Sequence, residues 1–163
     1  MSAINTYSYT MIDVPGVVAT NNFVSILNPT TSNRVIAFVN LIANAYATTT
    51  SQTAASMGVY KATTVSGGTV DSTNIARFNT QLSASVAEVR IGNPTVTRNK
   101  LVLYLPPPIS SGTGVTTSTS ELVTPVSVNN TLFLYPGEAL CATTLSGNVN
   151  QVWNLNFAWV EFF

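Results

Sequence analysis

Strict alternation of large apolar and small side chains near the end of the chain is the feature that most restricts its fold. Four large apolar residues occupy every second position: Trp153, Leu155, Phe157 and Trp159. Asparagine or alanine fills the positions between them. Successive side chains of a β-strand point to opposite faces of the sheet, so this segment is predicted to bury one face. A helix, with about 3.6 residues per turn, would scatter the four side chains around its axis.

The same period of two, interrupted by short groups of Gly, Pro, Asn, Ser and Thr, extends over most of the chain. Further strands are predicted at residues 7–12, 17–19, 23–27, 35–42, 57–62, 75–78, 86–91, 101–105, 121–128, 132–135 and 139–144. β-Branched residues are abundant, and no stretch combines strong helix formers with caps and a helical period. Residues 35–47, which run into an alanine-rich segment, are the one place where a helix is the alternative.

Two of the predicted strands are apolar on both faces. Residues 101–105 read Leu-Val-Leu-Tyr-Leu, and residues 132–135 read Leu-Phe-Leu-Tyr. Strands with two apolar faces are typical of the centre of a sheet or of positions covered on both sides. We therefore expect both segments to be central or covered strands.

These patterns predict one all-β domain over residues 1–163. The expected fold is an antiparallel two-sheet β-sandwich, jelly-roll-like, with about eight to eleven strands. Residues 1–20 are expected to form an N-terminal arm or an edge strand. Residues 106–120, which begin with three prolines and continue as Ser, Gly and Thr, are expected to form a long loop.

Charge is scarce in this chain: 7% of the residues are charged, against about 25% in ordinary soluble proteins. Six Lys and Arg residues balance six Asp and Glu residues, so no net field attracts nucleic acid or anionic lipid. We expect neither a nucleic-acid nor a membrane partner. Arg90, Arg98 and Lys100 form the one basic cluster of the sequence, which is either a phosphate contact or, as the more ordinary interpretation, a solvated strand end.

Low charge also bears on where such a protein works. A surface with little charge gives little repulsion between free monomers, which favours a protein that lives inside an assembly. No signal peptide and no apolar run long enough to span a bilayer are recognisable, so we expect a soluble protein made in the cytoplasm.

The residue types that most catalytic and metal sites need are missing. Histidine is absent and Cys141 is the single cysteine, which removes His-assisted nucleophiles and zinc clusters. No phosphate-cradling GxxxxGK[ST] or GxGxxG motif occurs. We expect no enzyme, no cofactor and no metal. A glycosidase-like carboxylate pair is the less favoured alternative, drawn from Asp71, Glu88, Glu121 and Glu138.

Phe162 and Phe163 follow Glu161 at the end of the sequence. Aromatic side chains that stay in water are costly, so this pair is expected to pack on its own sandwich or to dock on a neighbouring subunit. Long loops on a rigid sandwich often carry contacts. The candidate interface residues are therefore Phe162 and Phe163, together with Pro106, Pro107 and Pro108 at the start of the long loop.

Two parts of the sequence resemble small virion structural proteins of tailed bacteriophages. Residues 26–36, ILNPTTSNRVI, are similar to an x-N-P-x-G-S-G-K-x-V segment that leads into a long strand in that group. Residues 134–140, LYPGEAL, followed by residues 153–161, WNLNFAWVE, resemble its L-x-P-G-E-x-L motif and closing aromatic strand. Thr31 and Asn33 stand at the glycine positions of the first motif, and Arg34 stands at the lysine position.

The resemblance implies a virion structural protein, such as a capsid decoration or cement protein or a minor head protein. It implies a homo-oligomer, with a trimer favoured, that contacts the major capsid protein or another virion component and is located in the virion after synthesis in the host cytoplasm. One alternative is a receptor- or carbohydrate-binding tip or fibre module that uses the long loop and aromatic residues such as Tyr46, Tyr60 or Tyr104. Another is a small jelly-roll subunit of the capsid shell.

Overall fold

The computed structural model describes residues 5–15, 21–47, 56–79, 81, 83–105, 117–123, 132–145 and 151–163. These residues form twelve strands and one short 3-10 helix, Ser72–Asn74. The strands are β1 (Asn5–Pro15), β2 (Asn22–Leu27), β3 (Val35–Ala47), β4 (Met57–Ser66), β5 (Thr69–Val70), β6 (Ala76–Arg77), β7 (Glu88–Ile91), β8 (Thr95–Leu105), β9 (Thr117–Val123), β10 (Leu132–Leu134), β11 (Glu138–Thr144) and β12 (Gln151–Phe162). Residues 35–47, where a helix was the alternative, are therefore strand.

The strands are arranged in two antiparallel sheets that pack together. Sheet A has the order β10-β3-β12-β1-β6, and β9 also pairs with β3; sheet B has the order β5-β7-β2-β11-β4-β8. The all-β, two-sheet fold class predicted from the sequence is confirmed. Residues 5–15, within the predicted arm or edge strand, pair with β12 as β1 and meet the two-residue β6 near Tyr7.

The strand pairing is nested, because the first strands of the chain pair with the last ones. β1 pairs with β12, β2 with β11, β3 with β10, and β4 with β8. The strands β1 to β4 alternate between sheet A and sheet B, and β8, β10, β11 and β12 alternate between them on the way back. Among the described strands, all of whose pairs are antiparallel, this nested order is the jelly-roll arrangement of two sheets.

The main core lies between the two sheets and contains the inner face of β12. Trp153, Leu155, Phe157 and Trp159 are all 0 or 1% exposed, as the period of two predicts. The Trp159 ring lies between Tyr7, at 6.2 Å, and Phe38, at 6.1 Å between ring centroids. Burying one large apolar side chain contributes about 1.5–3 kcal/mol to stability. β12 therefore contributes strongly to the stability of the sandwich.

The prediction that residues 101–105 and 132–135 are central strands is wrong. Among the described strands, β8 stands at one end of sheet B, and β10 pairs with β3 alone. Leu101 is 43% exposed and Tyr135 is 55% exposed. In β8, the side chain of Leu101 packs beside Gly58 of the neighbouring strand. It lies 3.2 Å from where a β-carbon would stand on that glycine.

Sheet B carries a second, smaller core on its outer face. Ala62, Ala139 and Cys141 form this cluster, and Val65 of β4 and Val96 of β8 pack against it. β4 lies next to β8 at one end of the sheet. After the Gly67-Gly68 turn the chain continues into β5, which lies at the other end of the same sheet. The β4–β8 ribbon must therefore bend across the sheet, and its three register shifts are consistent with that bend.

Some predicted segments differ from the structure or lie outside the described residues. Residues 117–120, expected in the long loop, begin β9, because a run of Thr and Ser suits an edge strand as well as a loop. The strand predicted at residues 75–78 is reduced to the two exposed residues of β6. The strand at residues 17–19 and residues 106–116 of the loop lie outside the described residues.

Candidate functional site

Four aromatic side chains gather at the end of β12, beside the start of β3. They are Phe133, Tyr135, Phe162 and Phe163, and together they are called the aromatic patch. The Phe133 ring lies 6.1 Å from that of Phe162, edge to face, and 6.4 Å from that of Tyr135. Tyr135 is 55%, Phe162 39% and Phe163 84% exposed. Phe133, Tyr135 and Phe162 therefore form one cluster of rings, and Phe163, the next residue after Phe162, is the most exposed of the four.

Strand register explains why Phe133 and the two rings around it, Tyr135 and Phe162, point outward. Ile36 on β3 pairs with Leu134 on β10, and both are buried in the main core. Because faces alternate along a strand, the neighbouring Phe133 points to the outer face of sheet A. It pairs there with Ala37, which is 0% exposed although it lies on the outer face. Phe133 thus covers part of the outer face of sheet A.

A buried carboxylate holds the end of β12 in place. Glu161 is 3% exposed, and its side chain accepts hydrogen bonds from the backbone N–H of Val86 at 3.1 Å and from Nε1 of Trp159 at 3.2 Å. Arg34 Nη1 completes the arrangement as an ion pair with Glu161 at 3.1 Å. The Arg34 guanidinium also lies 5.3 Å from the centroid of the Phe163 ring, a cation–π contact. The position of Phe163 is therefore coupled to this ion pair.

The two turns that frame the patch are joined by Asn28. Its side-chain Nδ2 donates to the backbone oxygens of Arg34, at 2.8 Å, and of Leu134, at 2.9 Å. Its backbone N–H donates to Glu138 O at 2.9 Å, and its backbone oxygen accepts from Gly137 at 2.8 Å. The motif at residues 26–36 and the motif at residues 134–140 thus form one corner of the sandwich, which fixes Arg34 and Tyr135 relative to each other.

The structure brings together some of the predicted interface residues. Phe162 and Phe163 lie in the aromatic patch and are exposed. Pro106, Pro107 and Pro108 lie outside the described residues. Sequence reasoning missed Phe133 and Tyr135, which it assigned to a covered strand. Their two-faced apolar pattern was the available signal, and it is equally consistent with an edge strand whose outer side forms an interface.

Three of the four carboxylates proposed for a glycosidase-like pair each have their own partner among the described side chains. Glu88 forms an ion pair with Arg90 at 2.5 Å, and Glu138 forms one with Lys61 at 2.9 Å. Asp71 accepts hydrogen bonds from the Tyr9 hydroxyl and from Asn74. The side chain of Glu121 lies outside the described residues.

The three basic residues grouped in the sequence lie in different surroundings on sheet B. Arg90 is neutralised by Glu88, whereas Arg98 donates to Asn22 and Thr143 and Lys100 is exposed. Arg90 and Arg98 are therefore each held by their own partners.

The two tyrosines considered for carbohydrate binding whose side chains are described have different surroundings. Tyr60 lies beneath the guanidinium of Arg98 at 5.7 Å, and Tyr104 on β8 is 50% exposed. The Tyr46 side chain lies outside the described residues.

Comparison with known proteins gives no relative for this chain. No family model, no curated protein and no solved structure matches it. Within the described ranges, no helix is long and apolar enough to cross a membrane. Among the same residues, no group of three or more Cys, Asp or Glu side chains is placed to hold a metal ion.

Proposed function

We propose that this protein is a virion structural protein, a capsid decoration or cement protein or a minor head protein, that acts by packing against neighbouring subunits. In this proposal it forms a homo-oligomer, a trimer in the simplest case, and contacts the major capsid protein or another virion component. The observation that carries the proposal is the aromatic patch. Exposed aromatic side chains grouped at one end of a domain are typical of a protein–protein interface.

The size of the patch supports a role as the centre of such an interface. An aromatic side chain buries about 150–250 Å² when it is fully covered, so the exposed parts of Tyr135, Phe162 and Phe163 account for about 300–400 Å². A standard interface buries about 800 Å² on each partner, and its binding energy is concentrated in a few aromatic and Arg side chains. Arg34, 15% exposed and in contact with Phe163, adds such an arginine at the border.

The fold is compatible with the proposal but does not select it. Jelly rolls are used by viral capsid proteins and equally by lectins, and one fold hosts many functions. The choice between them rests on the aromatic patch, on the low charge of the chain and on the resemblance of the two corner motifs to small phage proteins. A chain with no net charge, of which 7% of the residues are charged, is suited to burial between subunits rather than to free diffusion.

Particle fractionation tests the proposal. Lysate of the cells that make the protein is separated on a density gradient, and an antibody against the purified protein locates it. We expect the protein to sediment with intact particles and cryo-electron microscopy to show it at regular positions on them. Protein found in the soluble fraction alone would refute the proposal. Mild denaturant separates the two particle roles: a decoration protein is released from an intact shell, whereas loss of a shell subunit breaks the shell.

A further inference from the structure

A concave pocket of about 330 Å³ lies beside β6, at one edge of sheet A. It is called the β6 pocket. Its lining combines apolar and hydroxyl-bearing side chains with one arginine: Ser72, Thr73, Ile75, Arg77, Ala84 and Ser85. Ile75 and Ala84 supply apolar surface inside it. A recess of this size lies at the lower end of the range of binding pockets, and it is large enough for one aromatic side chain.

Hydrogen bonds hold two walls of the β6 pocket in place. On one wall, Oγ of Ser72 accepts from the backbone N–H of Val89 at 2.9 Å. On the other wall, Oγ of Ser85 accepts from the backbone N–H of Ala87 at 3.0 Å and donates to Oε1 of the buried Glu161. The pocket therefore has its shape before any partner enters it.

Phe163 is the ring of the aromatic patch that is best placed to enter a pocket on another copy of the chain. Phe133, Tyr135 and Phe162 pack against one another. Phe163 follows the last residue of β12 and is 84% exposed, so its ring does not occupy the β6 pocket of its own chain. The guanidinium of Arg34, 5.3 Å from the ring centroid, gives the ring an orientation.

The Arg34–Glu161 ion pair organises both this ring and the β6 pocket. Arg34 contacts the Phe163 ring and also donates from Nη2 to Oγ of Ser83 at 3.0 Å. Ser83 directly precedes Ala84, which lines the pocket. Glu161, the residue paired with Arg34, accepts the hydrogen bond from the same wall of the pocket. The exposed ring and the pocket are therefore adjacent features of one end of the sandwich.

A three-fold ring joins two different surfaces of each subunit, since every interface pairs one surface with another surface of the next copy. Both surfaces face the same axis, so they must lie close together on the subunit. The β6 pocket meets this condition for the aromatic patch. Phe78, which directly follows β6 and is 71% exposed, adds apolar surface at the same edge. The exposed side chains of Leu101 and Tyr104 lie on the other sheet.

We infer that Phe163 of one copy inserts into the β6 pocket of the next copy, and that three such contacts close a ring. The inference rests on the homo-oligomer of the proposed function and names the surface that receives the aromatic patch. In the pocket the Phe163 ring packs against Ile75 and Ala84, and the neighbouring copy covers Phe78. The most exposed ring of the patch thereby leaves water.

Photo-cross-linking of the assembled protein tests the inference. The photoreactive amino acid p-benzoyl-phenylalanine replaces Phe163, which keeps an aromatic ring at that position, or replaces the exposed Ile12 as a control. Equal amounts of ¹⁵N-labelled and unlabelled protein are incubated until subunits exchange, then irradiated and digested. Mass spectrometry locates the cross-links and shows whether they join two copies. We expect cross-links from position 163 to residues 72–85 of a different copy, and none to that segment from position 12.

The outcomes separate this inference from the proposed function. Cross-links from position 163 that stay within one chain, that reach Phe133 and Tyr135 of another copy, or that miss residues 72–85 would overturn the inference, even for a protein that sediments with particles. Cross-links to the β6 pocket of another copy, in a protein that never sediments with particles, would support the inference and refute the proposed function.

Two exposed threonines provide a matched pair of variants. Thr73 lines the β6 pocket, whereas Thr97 lies on β8, outside it. Thr73→Trp fills the pocket and should weaken association of the subunits about tenfold or more, as expected for loss of a central aromatic contact. Thr97→Trp should leave association unchanged. Sedimentation velocity measures both, and equal association of the two variants would reject the pocket as the receiving surface. Ala84→Leu, which also fills the pocket, takes the place of Thr73→Trp if the latter fails to fold, with the same expected loss.

Discussion

Arg34 and Glu161 form an ion pair at 3.1 Å that joins the start of β3 to the end of β12. The Glu161 side chain is completely buried and the Arg34 side chain is 15% exposed. A buried carboxylate is costly unless its lone pairs are satisfied, and here Val86, Trp159 and Arg34 all donate to it. The pair therefore fixes the strand ends that carry Phe162 and Phe163.

Replacing Glu161 by Gln should destabilise the fold strongly. The substitution leaves the guanidinium of Arg34 in a mostly buried position without its counter-charge, which costs about 2–4 kcal/mol in the free energy of unfolding. Urea denaturation at pH 7 measures this change. Glu88→Gln is the control, since the Glu88–Arg90 pair is more exposed, at 31% and 23%, and should contribute less than about 1 kcal/mol. Equal effects of the two substitutions would contradict this account of Glu161.

Replacing Asn28 by Ala should open the corner between the two turns. The change removes the donor to the carbonyls of Arg34 and Leu134. Arg34 O keeps Ser32 Oγ at 3.4 Å, whereas the loss at the buried carbonyl of Leu134 costs about 1–3 kcal/mol. Asn33→Ala, at an exposed position of the same turn, should change the free energy of unfolding by less than about 0.5 kcal/mol. Hydrogen exchange should also accelerate at Gly137 in the Asn28 variant alone. Unchanged exchange there would show that Asn28 does not join the turns.

Two glycines with similar backbone conformations should respond differently to alanine. Gly68 has φ +63° and Gly92 has φ +70°, so both substitutions incur the left-handed strain of about 1–2 kcal/mol. A β-carbon on Gly68 would stand 2.5 Å from Ile91 O, whereas nothing lies within 4 Å of one on Gly92. Gly68→Ala should therefore cost about 3 kcal/mol or more, and Gly92→Ala about 1–2 kcal/mol. Thermal denaturation that ranks them equally would argue against the close packing of the Gly67-Gly68 turn.

Alkaline pH should weaken the fold through Cys141. Burial raises the pKa of this thiol to about 11, from an ordinary value of 9.0. The unfolded chain then releases the proton from about pH 9 upward while the folded chain keeps it, so the free energy of unfolding falls until pH 11. The full loss is about 2–3 kcal/mol. Burial and the hydrogen bond to Asp71 also raise the pKa of Tyr9, which adds a decrease of the same sign above pH 10.

Urea denaturation between pH 7 and pH 10.5 measures this pH dependence. Cys141→Ala should flatten the part of the decrease that begins near pH 9, even if it lowers stability by a constant amount at all pH values. A variant whose stability falls as steeply as that of the native protein would show that the thiol is not responsible.

The fold class could be predicted because short-range patterns determine it. The alternation at residues 153–159 and the frequent turn residues specify strands that bury one face, and such strands form two sheets. Strand position within the sheets could not be predicted in the same way. An apolar face at residues 101–105 or 132–135 has the same sequence whether it is covered by another part of the sheet, by a bent ribbon or by a partner subunit. The sequence therefore does not show what covers it.

The candidate site was predicted in part. The local sequence pointed to Phe162 and Phe163, because two adjacent aromatic side chains that stay in water are costly and so indicate packing or docking. Phe133 and Tyr135 join them through the pairing of β10 with β3, a contact between residues about a hundred positions apart that no local pattern encodes. The Arg34–Glu161 pair, separated by 127 positions, is hidden from sequence reasoning for the same reason.

Sedimentation velocity of the purified protein over a range of concentrations tests the central claim most directly. The account predicts a trimer for the native chain and a monomer for the double variant Phe162→Ala with Phe163→Ala. The control variant Ile12→Ala, which removes a 70% exposed apolar side chain near the C-terminal end of β1, should remain a trimer. A native protein that stays monomeric at every concentration, or a double variant that assembles as the native chain does, would contradict the claim that the aromatic patch is an interface between subunits.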